Sequence, residues 1–160
     1  GFEFAESVKR MLERLAAAKI DSDRVELLGT GIFEAYLKSY GDVDIVLDTL
    51  PFPGGTTTAQ ALWMGVPTVT LRGNTLVTRQ GESMLRCVGL EAWVANSEED
   101  YVQIAINRAS DLAALASLRA TLRNRFLTSP LTDNKRFAKN LEAALHGMYA
   151  ETISGLLEQQ

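Results

Sequence analysis

The segment best suited to chemistry is Asp48–Gly65, which reads DTLPFPGGTTTAQALWMG. It places a loop rich in Pro and Gly between an apolar run and the start of a predicted helix. Gly54 and Gly55 carry no Cβ atom, so a ligand can come close to the backbone. Thr56–Thr58 then offer hydroxyl groups together with the N–H groups and positive dipole of a helix N-terminus, which favour an anion. A diphosphate fits this combination.

The same residues also suit a purely structural role. Thr commonly caps helices, so GGTTT can be a turn followed by a capped helix and nothing more. The residues alone leave both interpretations open. The chain contains no G-x-x-x-x-G-K-[ST], which excludes the ATPase loop, and no G-x-G-x-x-G that would support dinucleotide binding.

Three carboxylates surround the apolar run that precedes this loop. Asp42 and Asp44 come before it, so we expect them at the amino edge of a strand as solvated groups, away from the binding crevice. This position argues against a metal-binding D-x-D motif. Asp48 comes at the carboxyl end of the run, where its side chain can either reach the site or brace the loop, and we expect it to brace the loop.

Few other side chains suggest chemistry. His146 is the only histidine, so no convincing Ser–His or Cys–His hydrolase arrangement can be built, and we expect it to be a partly exposed helix residue. Cys87 is the only cysteine, which excludes an intrachain disulfide, and we expect a buried, inert thiol. Arg72 and Arg79 lie in or just after the loop that follows the next strand, close enough to meet a phosphate, although surface arginines are common.

Alternating strands and helices must position these residues. Apolar spacing predicts helices over 4–19, 32–40, 56–64 and 78–88, and a helical region from Ser97 to about residue 150 that breaks at Ser129-Pro130. Short β-rich runs predict strands at 24–28, 43–47, 67–71 and 92–95, with the run at 43–47 buried on both faces. The order predicts an α/β fold, a Rossmann-like open parallel sheet flanked by helices, which binds ligands beyond the carboxyl ends of its strands.

Composition narrows the function classes. With 160 residues and 46% hydrophobic content, the chain can form one domain with a real core, and we predict a Rossmann-like domain at 1–128 with a helical extension at 129–160. The net charge of −4 argues against nucleic-acid binding. Neither a membrane-spanning run nor a signal peptide is visible, so we expect a cytoplasmic protein without a membrane partner. Because the chain opens on Gly1, we expect it to be part of a longer protein.

From about Asp21 to Tyr149 the sequence resembles the carboxyl-terminal part of the O-linked N-acetylglucosamine transferases, the SPINDLY-like members of glycosyltransferase family 41. The matching segments are VDIVLDTLPFPGGTTTAQALWMGVPTVTLRG, TRQGESMLRCVGLEAWVA, EEDYVQIA, LRATLRNRF and SPLTD. The resemblance implies the carboxyl-terminal half of a two-domain GT-B fold that holds UDP without a metal ion or other cofactor. It also implies transfer of N-acetylglucosamine to protein Ser or Thr hydroxyls, and tetratricopeptide repeats upstream in full-length members.

The resemblance further implies which residues bind the donor. Thr56 and Thr57 match the family's paired phosphate-binding threonines, and Gly54–Thr58 would supply N–H groups to the diphosphate. Gly55 stands where many members have His. Gln60 stands where a carboxylate usually receives the ribose hydroxyls, and its amide oxygen can still accept a hydrogen bond.

The other implied donor-binding residues lie to either side of the loop. Gly31 and Ile32 are expected to face the base through their backbone groups. Tyr36 stands where many members have a His near the donor, and Phe33 where some have a donor-contacting Lys. Arg79 matches the arginine of an S-R-V-like motif and would act as second-layer support.

The departures at Phe33, Tyr36, Gly55 and Gln60 leave alternatives open: a related transferase that uses UDP-glucose, or a non-catalytic nucleotide-binding or protein-interaction module. The family's amino-terminal catalytic domain, and the first strand and helix of the donor domain, lie outside this sequence. We therefore predict no catalytic residue in this chain. We expect it to bind a UDP-sugar weakly, with a protein acceptor bound through the missing regions, and make no prediction of oligomeric state.

Overall fold

The computed structural model describes residues 2–157, with side chains described for residues 2–154. The chain divides into two units, Gly1–Gly41 and Asp42–Gln160. The predicted division into residues 1–128 and 129–160 is a different one, and it stays a prediction.

The first unit contains two helices joined by an extended segment. Helix α1 spans Ala5–Ala17 and helix α2 spans Phe33–Ser39, as the apolar spacing predicted. Helix α1 also gains local support from ion pairs one turn apart on its exposed face, such as Arg10 with Glu6. Between the helices, Ser22–Arg24 form a 3-10 turn.

The predicted strand at 24–28 is wrong. Residues 25–32 are assigned to no strand, and Leu28 is 58% exposed. A short β-rich run becomes a strand only when a neighbouring strand completes its hydrogen bonds. Within residues 2–41 no such ladder is formed.

The second unit is built on a three-stranded parallel sheet in the order β1-β2-β3. Its strands are β1 (Val46–Leu47), β2 (Thr68–Leu71) and β3 (Val94–Ala95). Val46 pairs with Thr68, and Thr70 pairs with Val94. The central strand β2 is buried over 68–70, as expected for a β-branched run covered on both faces.

Strand β1 differs from its prediction. The run at 43–47 contributes only Val46–Leu47 to the sheet, and Leu47 is 56% exposed instead of buried. Among the described residues β1 has a single strand neighbour, β2. Burial of a strand depends on what covers it, which an apolar run alone does not reveal.

Each strand of the second unit is followed by a helix, and two further helices complete it. The helices are α3 (Thr56–Trp63), α4 (Gln80–Cys87), α5 (Glu98–Ser110), α6 (Leu112–Leu127) and α7 (Asn134–Leu157). The predicted cap of α5 is confirmed, since Ser97 Oγ accepts a hydrogen bond from the Asp100 N–H at 3.1 Å. The break at Ser129-Pro130 is confirmed as well. A second break at Asp111, whose carboxylate caps α6, was not predicted.

The core joins the helices to the sheet. Its fully buried apolar side chains include Leu62 of α3, Val69 of β2, Leu85 of α4 and Leu122 of α6. Burying each such side chain stabilises the fold by about 1.5–3 kcal/mol. This packing fixes the N-termini of α3 and α4 beyond the carboxyl ends of β1 and β2. Trp63 is 39% exposed because it lies one residue past Leu62 on the helix.

Helix α7 exposes its described side chains along its length, including His146, as predicted for that residue. The end of the predicted helical extension, residues 158–160, lies outside the described residues. Within residues 2–157, none of the helices has the length and apolarity that crossing a bilayer requires.

Candidate functional site

Asp48 holds the loop between β1 and α3 in place. Its side chain is 7% exposed. Oδ1 accepts hydrogen bonds from the N–H groups of Gly54, at 2.6 Å, and Thr49, at 3.1 Å. Oδ2 accepts one from the Thr70 hydroxyl on β2 at 2.7 Å. The predicted bracing role of Asp48 is therefore confirmed.

A tyrosine from α5 supports the same loop. The Tyr101 hydroxyl donates a hydrogen bond to the backbone carbonyl of Asp48 at 2.8 Å. Burial, together with the nearby Asp48 charge, raises the pKa of Tyr101 to about 12. The phenol thus stays protonated and available as a donor at neutral pH. The spacing of 53 residues between the two partners left no signal in the sequence.

Gly54 is required by close packing. A Cβ atom at this position would lie 2.3 Å from Thr57 Oγ1 and 2.8 Å from Thr58 Oγ1, so no other residue fits without rearrangement. The Gly54 N–H points to Asp48. The prediction that this N–H binds the diphosphate is therefore corrected, because the group already has a charged acceptor.

The start of α3 presents two kinds of threonine. Thr56 and Thr57 are exposed. Thr58 is 1% exposed, and its hydroxyl donates to the Gly54 carbonyl at 3.0 Å. The Thr58 hydroxyl is therefore structural, which narrows the predicted hydroxyl contacts to Thr56 and Thr57.

The electrostatics of this helix end favour an anion. The first N–H groups of an α-helix point out of its N-terminus, where the helix dipole is positive. The first turn of α3 contains no acidic residue, whereas α5 begins with Glu98, Glu99 and Asp100. The positive end of α3 is therefore not neutralised by its own first turn.

The N-terminus of α4 packs directly against the loop. A Cβ atom on Gly81 would lie 2.4 Å from Thr70 Oγ1 and 2.9 Å from Asp48 Oδ2, so glycine is what allows this approach. As a result, Gln80 Oε1 lies 2.7 Å from the position that a Cβ atom on Gly55 would take. Gln80 was not predicted as a candidate, because Gln80 and Gly55 are far apart in the sequence and become neighbours only in the folded structure.

Gln60 lies on the same helix as the exposed threonines. It is half-buried, one turn after Thr56 and Thr57. Residues four apart on a helix share a face, so Gln60 and Thr56 lie on one side of α3. This placement is compatible with the ribose contact predicted for Gln60, which stays a prediction.

Arg79 binds a carboxylate within the protein. Its Nε lies 3.1 Å from Glu82 Oε2, and Arg72 Nε lies 3.4 Å from the same oxygen. The side chain of Glu82 is only 4% exposed. Burial by itself would raise the pKa of Glu82, but hydrogen bonds from Arg86 and Arg79 and the charge of Arg72 hold that pKa below its usual value. Arg72 and Arg79 were predicted to lie close enough to meet a phosphate, but the Nε atoms of both are directed at Glu82. This arrangement suits Arg79 to a supporting role.

The remaining predicted donor-binding residues belong to the first unit. Gly31 and Ile32 are exposed, with Ile32 at 72%. Tyr36 is half-buried, and its hydroxyl lies 2.6 Å from that of Tyr40. Burial raises the pKa of Tyr40. The donor contacts predicted for Gly31, Ile32 and Tyr36 stay predictions.

Two other expectations concern metal and thiol chemistry. Within residues 2–157 no group of three or more His, Cys, Asp or Glu side chains is arranged to hold a metal ion. Asp44 is exposed and pairs with Arg119 Nη1 at 2.6 Å, as a solvated carboxylate at the amino end of a strand can. Cys87 is a half-buried free thiol, so its predicted full burial is corrected.

The parallel sheet, with a turn and a helix N-terminus beyond its first strand, defines the class: an open α/β domain, a fold that generally binds ligands beyond the carboxyl ends of its strands. The family model described as Glycosyl transferase family 41 matches residues 5–141. The chain therefore belongs to glycosyl transferase family 41, as the sequence motifs predicted.

Individual relatives agree with this assignment. The protein described as "Probable UDP-N-acetylglucosamine--peptide N-acetylglucosaminyltransferase SPINDLY" from Eustoma exaltatum subsp. russellianum is 40% identical over 152 residues, which cover 94% of this chain and 17% of that protein. The protein of the same description from Arabidopsis thaliana is 39% identical over 148 residues, covering 92% of this chain and 16% of its own length. The chain thus spans less than a fifth of the length of these curated relatives.

A solved structure supports the fold. The structure of a Thermobaculum terrenum O-GlcNAc transferase mutant matches with a TM-score of 0.88 and 36% identity, over 94% of this chain and 29% of that one. The likeness confirms the predicted fold class, an open parallel α/β sheet that forms part of a GT-B structure. The chain is therefore a family 41 domain that is similar in sequence and fold to part of an O-GlcNAc transferase.

Proposed function

We propose that this chain binds the nucleotide-sugar donor of a protein O-glycosyltransferase, with the diphosphate at the N-terminus of α3. The observation that carries the proposal is the braced loop. Asp48 anchors Gly54 to β2 through Thr70, so the exposed Thr56 and Thr57 stand at a fixed, positive helix end. Such an end stabilises a diphosphate through N–H groups and hydroxyls, without requiring a metal ion.

The other proposed donor contacts rest on the family membership. Gln60 would accept a hydrogen bond from the ribose, the backbone of Gly31 and Ile32 would meet the base, and Tyr36 would lie near the donor. Gln80 joins this set, because its amide adjoins the backbone of Gly55 and can donate to a phosphate oxygen. Arg79 supports the site by holding Glu82, which fixes the first turn of α4.

The proposed reaction is transfer of the sugar to a protein hydroxyl. The acceptor oxygen attacks the anomeric carbon, the bond from that carbon to the diphosphate breaks, and the negative charge develops on the departing diphosphate. Groups preorganised around that charge lower the barrier. The role of this chain would be to hold the leaving group, whereas the acceptor and a general base would be supplied by the rest of a full-length transferase.

UDP-N-acetylglucosamine is the donor to test first, because the relatives are described by that substrate. UDP alone is the simpler probe, since it retains the diphosphate and the base. Isothermal titration of the chain with UDP should show weak binding, with a Kd of about 1 mM. Thr57→Val should weaken it about fivefold or more, because it replaces a hydroxyl by a methyl group of similar size.

Thr152→Val is the matched control. Thr152 is an exposed helix residue whose hydroxyl donates to the Met148 carbonyl in α7, outside the proposed site. It should leave UDP affinity unchanged. No heat of binding at millimolar UDP from the folded chain, or equal weakening by the two substitutions, would refute the proposal.

A further inference from the structure

Three arginines converge on a single buried carboxylate in the second unit. Arg72 Nε and Arg79 Nε lie 3.4 and 3.1 Å from Glu82 Oε2, and Arg86 Nη2 lies 3.0 Å from Glu82 Oε1. Glu82 is 4% exposed, whereas the arginines are 45%, 48% and 54% exposed. We call these four residues the arginine cluster.

The arginine cluster carries more positive charge than its structural role needs. Three guanidinium groups against one carboxylate leave a net charge of +2. Within the described part of the chain, the three guanidinium groups make no hydrogen bond or ion pair except to Glu82. Each guanidinium has five N–H donors, so several donors of each remain for a ligand. The local excess stands out in a chain whose overall net charge is −4.

An open cavity of about 710 Å³ lies against this cluster. Its wall includes Arg79, Glu82 and Arg86 of the cluster, the polar Asn74, and the apolar Leu76 and Met84. Leu76 is 88% exposed, so an apolar side chain stands in solvent beside the unneutralised guanidinium groups. The wall therefore combines cationic and apolar surface.

We propose that this cavity binds an acidic segment of a polypeptide, one that carries Asp or Glu together with apolar side chains. Guanidinium groups recognise carboxylates through paired N–H donors. An inorganic anion would use the charge but leave Leu76 and Met84 exposed. A nucleic acid would meet repulsion from a chain with net charge −4, and a long phosphate backbone would extend beyond this local cluster. Peptide binding at this cavity is independent of the proposed donor binding, because Arg86 and the cavity wall would contact the peptide whether or not a nucleotide is bound.

The test is fluorescence anisotropy of the full 160-residue chain with a short labelled peptide that alternates Glu and Leu, at low salt and without nucleotide. Arg86→Gln should weaken binding about threefold to fivefold, since it removes one partly exposed charge. Arg10→Gln is the matched control: Arg10 also pairs with a Glu four residues earlier, on α1, with both side chains exposed. It should leave binding unchanged.

A second substitution tests the cavity without breaking an ion pair to Glu82. Ser83 lines the cavity and is exposed, so Ser83→Glu adds a repelling charge and should weaken the peptide about fivefold. Ser117→Glu, at an exposed position of α6, should have no effect. Thermal melts confirm that each variant is folded.

The peptide with Gln in place of Glu should bind much more weakly, and added salt should weaken the acidic peptide. Loss of binding with Arg86→Gln and Ser83→Glu, but not with the two controls, supports the proposal. Absence of peptide binding by the unmodified chain, or equal loss with the controls, overturns it. Tighter binding of a single-stranded oligonucleotide or of pyrophosphate at the same residues also overturns the assignment to a polypeptide.

Discussion

Replacing Asp48 with Ala should loosen the loop that leads into α3. The substitution removes the acceptor of three hydrogen bonds, from Thr49, Gly54 and Thr70. Thr49 is exposed, so its N–H can bond to water instead. The Thr70 hydroxyl is 1% exposed and the Gly54 N–H is half-buried, so both would lose a charged acceptor without full access to water.

The magnitude follows from those two groups. Leaving a buried donor unsatisfied costs about 1–3 kcal/mol, so Asp48→Ala should lower the free energy of unfolding by about 3 kcal/mol. Asp48→Asn retains one oxygen and the side-chain volume, and should cost about 1–2 kcal/mol. Asp44→Ala is the control: Asp44 is 76% exposed and pairs with Arg119, and loss of an exposed ion pair costs at most about 1 kcal/mol.

Urea denaturation followed by circular dichroism measures these differences. We also expect Asp48→Ala to weaken UDP binding under conditions where the variant is folded, because the helix end is no longer held by the loop. A free energy of unfolding for Asp48→Ala within about 1 kcal/mol of the value for Asp44→Ala would refute the bracing argument.

Two further predictions concern α4 and its packing. Gly81→Ala should destabilise the fold by about 1–3 kcal/mol, because the new Cβ would meet Thr70 Oγ1 at 2.4 Å. Gly147→Ala is the control, because Gly147 lies in α7 and nothing lies within 4 Å of the new Cβ. It should be neutral or stabilising by up to about 1 kcal/mol. Denaturation curves that show Gly147→Ala to be the more destabilising of the two would contradict the packing at Gly81. Because the pKa of Glu82 is held below its usual 4.5, its contribution to stability is present above that value and lost as pH falls through the folded-state pKa. Glu82→Gln should lower the melting temperature at neutral pH and lose less stability on acidification; parallel pH profiles for variant and parent would contradict this.

The sequence alone predicted the elements whose signals are local. Ser97 followed by acidic residues marked the start of α5, and the Pro at 130 marked a break, because caps and proline act within one helical turn. The strand predicted at 67–71 from β-branched residues is found at Thr68–Leu71. Asp48 was expected to brace its loop because it follows the carboxyl end of a strand, and its hydrogen bonds to Thr49, Gly54 and Thr70 confirm this role.

Other features depended on contacts between distant residues. The run at 24–28 looked like a strand but forms no ladder, and Leu47 lies on an exposed strand edge. Both outcomes depend on neighbouring strands, which local composition does not encode. The position of Gln80 against Gly55 required the close approach at Gly81, and the convergence of three arginines on Glu82 required the folded β2–α4 connection.

The donor site was predicted in part. The location of the anion-favouring turn followed from its place between a strand and a helix. The roles of the individual groups in this turn could not be predicted, because the Gly54 N–H and the Thr58 hydroxyl form hydrogen bonds within the loop. Only the hydrogen bonds reveal that the Gly54 N–H and the Thr58 hydroxyl stabilise the loop.

An NMR titration with UDP would show directly whether the diphosphate binds at the N-terminus of α3, because it reports weak binding residue by residue. We predict that the largest amide shifts fall on Gly55, Thr56 and Thr57, and that uridine without phosphate leaves these amides nearly unchanged. GDP separates recognition of the diphosphate from that of the base: it should move the same three amides but bind more weakly than UDP. Shifts from UDP that spare 55–57, or equal shifts from uridine, would contradict a diphosphate site at the N-terminus of α3.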